Sequence, residues 1–269
     1  MKFSATTLLL IEAAMAARLT QHRRANHAKR AIERKSHPKM AGTLPSVVVN
    51  QTNVEYSSNW AGVVIDSTDI TEVTGIITVP SLSAGSNSDS CASAWVGIDG
   101  DSCETAILQT GLDFCYQDGG VEFDAWYEWY PDYAYDFTLD VSAGDVVKMT
   151  VTATSKTAGK AVIENQTTGK TVTKSFNGNV QGDLCLENAE WIVEDDHVAN
   201  EFSFMIQFEE SGSLVAFADF GTVTFTDATA TSGSGTLNPE TGDILDIEQD
   251  GTVLTSCSAG NDKVTCSYV

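Results

Sequence analysis

Two acidic segments carry the residues with which this chain can do chemistry. The first runs from 91 to 137 (CASAWVGIDGDSCETAILQTGLDFCYQDGGVEFDAWYEWYPDYAYDF) and holds three of the five Trp, most of the Tyr and three of the six Cys. The second is NAEWIVED, 188 to 195. Read with a period of two, each segment sorts its side chains onto faces. Gln109 shares a face with Ile107 and Thr105. Asp124, Trp126, Glu128 and Tyr130 share another. Glu190, Ile192 and Glu194 share a third, opposite Trp191 and Val193. A face that mixes Trp, Tyr and carboxylates suits a substrate groove. The competing reading puts the aromatics in a core and the acids on edge strands as solubilisers. Other chemistries are poorly represented. His22, His27 and His37 fall in a basic leader, which leaves His197 as the sole later imidazole. The six Cys are expected to be oxidised, which removes a thiolate nucleophile. There is no HExxH, no glycine-rich phosphate loop and no Asp-Thr-Gly or Asp-Ser-Gly triplet. Carboxylate chemistry remains, and periodicity does not choose among Glu194, Glu190, Glu128 and Asp124.

The elements that must hold these residues read as strands. Val146 to Thr154 (VVKMTVTAT) and Lys170 to Phe176 (KTVTKSF) alternate with period two, and turn residues punctuate the chain at 142–145 and 167–170. This pattern predicts an all-β domain of two packed antiparallel sheets. Six Cys allow fifteen pairings. Cys257 and Cys266 flank a hairpin-like segment and are natural partners. Asn50 and Asn165 each head an Asn-Gln-Thr acceptor sequence for glycosylation.

The first fifty residues have a different character. Lys2, the apolar run 5–14 and Ala14-Met15-Ala16 read as a secretory signal over 1–17, too short to span a bilayer. Residues 18–54 read as a basic propeptide, and 55–269 as the functional domain. Nine of the 15 Lys and Arg lie in the first forty residues. After Met40, six basic residues face 35 acidic ones, a formal charge of −29. That charge excludes nucleic acid as a partner and favours a monomer through self-repulsion. It also predicts greater stability in acid than near neutrality. The basic segment is expected to inhibit by lying on the acidic surface, with Lys29-Arg30 and Arg34-Lys35 as processing sites. No membrane association and no cofactor or metal is expected.

The residues resemble one family specifically: the fungal glutamic peptidases, or eqolisins, and within it the aspergilloglutamic type. The resemblance rests on SSNWAG (57–62), AWVGIDGDSCETAILQTG (94–111), DAWYEWYPDYAYDF (124–137), LCLENAEWIVED (184–195) and LVAFADFGTVTFT (214–226). It implies a concanavalin-like sandwich of two seven-stranded antiparallel sheets. It also implies a secreted, pepstatin-insensitive acid endopeptidase acting on protein and peptide substrates. The family's catalytic pair maps to Gln109 and Glu194. Trp60, Trp95, Asp99, Asp124, Trp126, Glu128 and Tyr130 map around the groove, and simple turn chemistry is the competing reading of Asp99. The implied disulfides are Cys91–Cys115 and Cys103–Cys185, beside Cys257–Cys266. Two departures stand out. The segment 81–90 has no basic site, so a single chain is expected where a known family member has two. Residues 196–207 are an insertion two positions beyond Glu194, or an artefact of the gene model. The rival functions are a glycoside hydrolase, which needs two carboxylates across one bond, and a lectin-like domain. Gln109 discriminates, because only the peptidase needs that amide.

Overall fold

A computed structural model of the chain describes residues 37–49, 52–82, 89–117, 119–195 and 216–269. The signal segment, both dibasic sites, Asn50, His197 and the 196–207 insertion lie outside these residues. The described residues from 37 onward fall in one compact unit, which takes in the end of the segment read as propeptide.

The strands in chain order are β1 Val47–Val49, β2 Thr52–Ser57, β3 Trp60–Asp66, β4 Glu72–Thr78, β5 Ser90–Ile98, β6 Ile107–Gln117 and β7 Gly120–Tyr130. There follow β8 Tyr135–Asp136, β9 Val146–Ser155, β10 Ala158–Asn165, β11 Lys170–Asn177, β12 Asn188–Glu194 and β13 Ala216–Phe217. The last six are β14 Thr222–Ser232, β15 Gly235–Leu237, β16 Asp243–Gln249, β17 Thr252–Val253, β18 Thr255–Gly260 and β19 Lys263–Tyr268. The larger sheet has the order β1-β2-β16-β3-β12-β5-β6-β7-β8, with β13 beside β5 and β17 beside β16. The smaller has the order β11-β10-β9-β4-β14-β19-β18, with β15 beside β14. The pairs β2–β16 and β5–β13 are parallel, and the rest are antiparallel. The all-β sandwich is as expected. Short rim strands raise the membership to eleven and eight strands against the seven expected per sheet.

Alternation explains the packing. Strand β9 buries every second residue, Val147, Met149, Val151 and Ala153, against the larger sheet. Strands β3 and β12 break the pattern and are buried along nearly their whole length on both faces. Their inner face joins the inter-sheet core with Trp191, Val193, Phe114 and Phe225. Trp191 is fully buried and its Nε1 donates to the Thr74 carbonyl at 2.8 Å, tying the two sheets together. Their outer face belongs to a second, smaller apolar cluster: Trp60, Val64, Trp95, Ile107, Trp126, Ala134, Ile192 and Leu245.

All three disulfides form as expected. Cys91 and Cys115 are cross-strand partners of β5 and β6, and Cys257 and Cys266 of β18 and β19. Cys103–Cys185 ties the β5–β6 connection to the segment entering β12. The Asn165 glycosylation expectation is overturned. Asn165 is fully buried, and its Nδ2 donates to Asp145 at 2.9 Å, so no acceptor nitrogen is presented to solvent.

Candidate active site

The outer face of the larger sheet is built from three rows of cross-strand neighbours. The first row runs Trp60, Glu194, Ser93, Asp113, Asp124 across β3, β12, β5, β6 and β7. The second runs Gly62, Ile192, Trp95, Gly111, Trp126. The third runs Val64, Glu190, Gly97, Gln109, Glu128. Register therefore brings together on one face what lies far apart in the chain. Glu194 and Gln109 stand two strands and four residues apart, a Cα separation of about 17 Å at ordinary sheet spacing. Trp95 fills the middle row between them. Its ring needs glycine on both sides. A Cβ at Gly111 would come within 2.5 Å of Trp95 Cβ, and one at Gly97 within 2.7 Å of Trp95 Cζ3.

Glu194 is buried, 1% exposed, and accepts hydrogen bonds on both oxygens. Trp95 Nε1 donates to Oε2 at 2.8 Å. Asn59 Nδ2 donates to Oε1 at 3.4 Å, and the backbone N–H of His37 approaches the same oxygen at 3.5 Å. The next residue, Asp195, anchors the strand end by accepting from Gln249 Nε2 at 2.9 Å. Gln109 is also fully buried, and its Nε2 donates to Glu128 Oε2 at 3.0 Å. In the first row Ser93 donates to Asp113 at 2.6 Å. Trp60 stands edge-on to Trp95, ring centroids 5.0 Å apart.

The remaining expected site residues divide. Trp60, Trp95, Trp126, Glu128 and Tyr130 gather around the pair, the Trp and Glu128 buried and Tyr130 packed at the margin of the smaller cluster. Asp124 lies at the far end of the first row, half-buried and three strands from Glu194. Asp99 is turned away. Its carboxylate accepts from the backbone N–H groups of Cys185, Leu186, Glu187 and Asn188 at 2.7, 2.8, 2.8 and 3.2 Å. It touches neither Gln109 nor Glu194 among these bonds, and it sets the entry of β12 instead. Asp99 takes φ 69 and Leu186 φ 68, left-handed conformations stabilised by this cap.

Sequence reading missed Asn59 as a partner of Glu194, although the residue sits inside the quoted SSNWAG. It also missed Asp113, Ser93 and the need for Gly97 and Gly111. Only strand register reveals these, since none carries a periodic signal of its own. Glu190 was noticed but not placed. It is fully buried in the third row, and burial, followed by the charges of Asp99, Asp101 and Asp66, raises its carboxyl well above the usual range.

One further segment belongs to the site. Residues 37–44 lie across the end of β12. Asn59 Nδ2 donates to the carbonyls of Pro38 and His37 at 3.3 and 3.5 Å, and Met40 N–H donates to Asn59 Oδ1 at 2.9 Å. Lys39 forms ion pairs with Asp101 and, at 3.2 Å, with Glu55. Glu248 accepts from Thr43 N–H, Thr43 Oγ1 and Leu44 N–H at 2.6, 2.8 and 3.3 Å. Burial lowers the Lys39 pKa, but Asp101 and Glu55 outweigh it, so the net shift is upward. Asp101 is raised, by burial first, although Lys39 opposes the shift. No group of three or more metal-ligating side chains occurs among the described residues.

Comparison with known proteins now has a geometry to stand on. The Peptidase A4 family matches residues 58–268. The chain is 53% identical to Aspergillopepsin-2 of Aspergillus niger, over the whole of both chains. It is 41% identical to Scytalidopepsin B of Scytalidium lignicola over 90% of each. A crystal structure of scytalido-glutamic peptidase with a transition-state analogue inhibitor superposes with a TM-score of 0.69. That match has 43% identity and covers 79% of this chain and 98% of the other.

Proposed function

We propose that this chain, which belongs to the Peptidase A4 family of glutamic peptidases, is a secreted acid endopeptidase in which Glu194 activates water and Gln109 stabilises the oxyanion. The observation that carries the reading is the pairing of two unlike groups on one buried face. Glu194 receives N–H donors on both oxygens, as a carboxylate rather than an acid does. Gln109 has its amide nitrogen fixed by Glu128, with a second N–H left to donate.

In the proposed reaction a water lies between Glu194 and the scissile carbonyl. Glu194 takes its proton as the oxygen attacks carbon, and later returns that proton to the leaving amine. Charge develops on the carbonyl oxygen, and the free N–H of Gln109 donates to it. An amide keeps this donor at any pH, whereas a second carboxylate would repel the developing charge. The burial of the face adds strength to both interactions, because few waters compete for them. Trp60, Trp126 and Tyr130 supply apolar walls for substrate side chains. The carbohydrate readings have no support from a peptidase family. The lack of a two-Asp motif supports pepstatin insensitivity. The early apolar run supports secretion, and the acidic body supports a monomer.

The segment 37–44 supports an inhibitory role for the basic leader. Its backbone occupies the space beside Glu194, and Lys39 holds it in an acidic socket. Acidification protonates Asp101 and removes the ion pair. Glu248 holds on to lower pH, because the N–H donors of Thr43, Gly251 and Leu44 lower its pKa. The test of the whole reading is digestion of an unfolded protein at acid pH in the presence of pepstatin. Continued cleavage by the secreted protein, with little cleavage before the leader is removed, is the expected outcome. Complete inhibition by pepstatin would overturn it.

A further inference from the structure

Glu190 and Gln109 lie in one row, one on each side of Gly97. At ordinary strand spacing their Cα atoms are about 10 Å apart. The position between them has no side chain, and it matters that it has none. A Cβ at 97 would stand 3.1 Å from Glu190 Oε2. Trp95 Cζ3 would stand 2.7 Å from the same Cβ, so the Glu190 carboxyl and the edge of the Trp95 ring meet over the Gly97 backbone, on the side of Glu190 that faces Gln109 along the row. Both residues are fully buried. Gln109 Nε2 is engaged by Glu128 at 3.0 Å, but Gln109 Oε1 has no hydrogen-bond partner among the described residues, and neither carboxyl oxygen of Glu190 has one. Buried polar atoms are paired in nearly all native structures. Here an amide oxygen and a carboxyl, both without partners among the described residues, lie in one row on either side of a glycine.

We infer that Glu190 is a positioning residue for the reaction: as the neutral acid it donates to Gln109 Oε1, directly or through one water beside the edge of the Trp95 ring, and so fixes which end of the amide meets the substrate. The inference rests on the reading of Gln109 as oxyanion donor. An amide held only by Glu128 at one end can lose its orientation. A flipped amide presents Oε1 to the developing oxyanion and repels it. Glu128 accepts from the nitrogen end, Glu190 donates to the oxygen end, and together they allow one orientation. The role requires the proton. Ionised, Glu190 would set a charged acceptor against a neutral acceptor. The surroundings keep it neutral. On β3 its neighbour is Val64, and across the row stand Gln109 and Glu128. The charges of Asp99, Asp101 and Asp66 act on it, all of them acidic, while Lys39 is held by Asp101 and Glu55. Activity confined to acid then has a structural source distinct from Glu194.

The test compares Glu190→Gln and Glu190→Met in the matured, active protein. Kinetics are measured across pH, and the side-chain amide signals of Gln109 are followed by ¹⁵N NMR. In the wild type, the Gln109 amide signals should move as Glu190 titrates, and that movement should vanish in Glu190→Gln. Glu190→Gln keeps a donor at every pH, so it should retain kcat within about threefold in acid and extend activity toward neutrality. Glu190→Met should lower kcat about 10- to 100-fold with KM little changed. Gln109 signals indifferent to Glu190 would overturn the inference, as would wild-type kcat in a folded Glu190→Met. Should Glu190→Met not fold, an alkaline limb left unmoved by Glu190→Gln overturns it equally. Gln109→Ala separates the two levels. Full activity in that variant sinks the oxyanion reading itself, whereas a pH-silent Gln109 amide sinks only the role of Glu190.

Discussion

Strand β12 has two faces, and they follow opposite rules. Trp191 and Val193 point inward and are packed among apolar side chains, and the one polar atom of that pair, Trp191 Nε1, is bonded to Thr74. Glu190 and Glu194 point outward and are equally buried, but one has no partner among the described residues and the other holds donors on both oxygens. The inner face is solved for stability. The outer face keeps charge and unpaired acceptors out of water, an arrangement that costs free energy and that cores avoid. A similar contrast separates two acids near the β5–β12 seam. Asp99 is saturated by four backbone N–H groups and serves architecture. Glu190, a short way along the same seam, is unsaturated and is assigned to the site.

Substitutions break this contrast in graded ways. After Glu194 itself, the largest effect on activity without loss of fold is expected at Gln109. Gln109→Ala should lower kcat by about 10²–10³, the usual consequence of removing one oxyanion donor, with the thermal midpoint little changed. Steady-state kinetics alongside thermal melts check this. On the inner face the pattern reverses. Trp191→Ala should destabilise by about 3–5 kcal/mol, read by urea unfolding, and any activity loss should follow the unfolded fraction.

Stability against pH sharpens the comparison further. Asp246 is raised to about 6 by burial, against the lowering effect of its bonds from Cys257 N–H and Thr255 Oγ1. A carboxyl whose folded pKa lies above its unfolded value stabilises fully below the unfolded value, and the contribution is lost as pH rises through the folded one. Between pH 4 and pH 6 this residue should remove about 3 kcal/mol, and Glu190 acts in the same direction. Unfolding free energies measured across pH should fall toward neutrality, and Asp246→Asn should flatten the decline. A curve rising from pH 4 to 7 would contradict the account. The smallest effect is expected at Lys39. Lys39→Ala removes both partly buried ion pairs, to Asp101 and Glu55, from the 37–44 segment, and should speed release of the leader at pH 6 several-fold while leaving the mature enzyme unchanged.

Much of this was readable in advance, for reasons that differ by residue. The sandwich was legible because period-two alternation in stretches such as 146–154 depends only on local pleat. The face shared by Asp124, Trp126, Glu128 and Tyr130 was legible for the same reason. The pairing of Gln109 with Glu128 was not, since it depends on the register of β6 with β7. Nor were Asn59 and Gly97, whose importance is set by β3, β12 and β5 meeting across more than a hundred residues of chain. Periodicity could not rank Glu194 above Glu190. Resemblance chose Glu194, and the structure supplies a physical difference between them: one carboxyl is bonded, and the other is buried without a partner among the described residues. Asp99 shows the converse. Its motif suggested the groove, while its carboxylate is committed to the chain entering β12.

The central claim is that Glu194 is the base and that the fold does not need its charge. The direct measurement is acid digestion of an unfolded protein by the matured wild type and by Glu194→Gln, with thermal melts of both. The account predicts pepstatin-resistant cleavage by the wild type and a loss of at least about 10³-fold in the variant, at nearly the same melting midpoint. Cleavage by Glu194→Gln within tenfold of wild type would contradict it and return the choice of base to the other acids of this face.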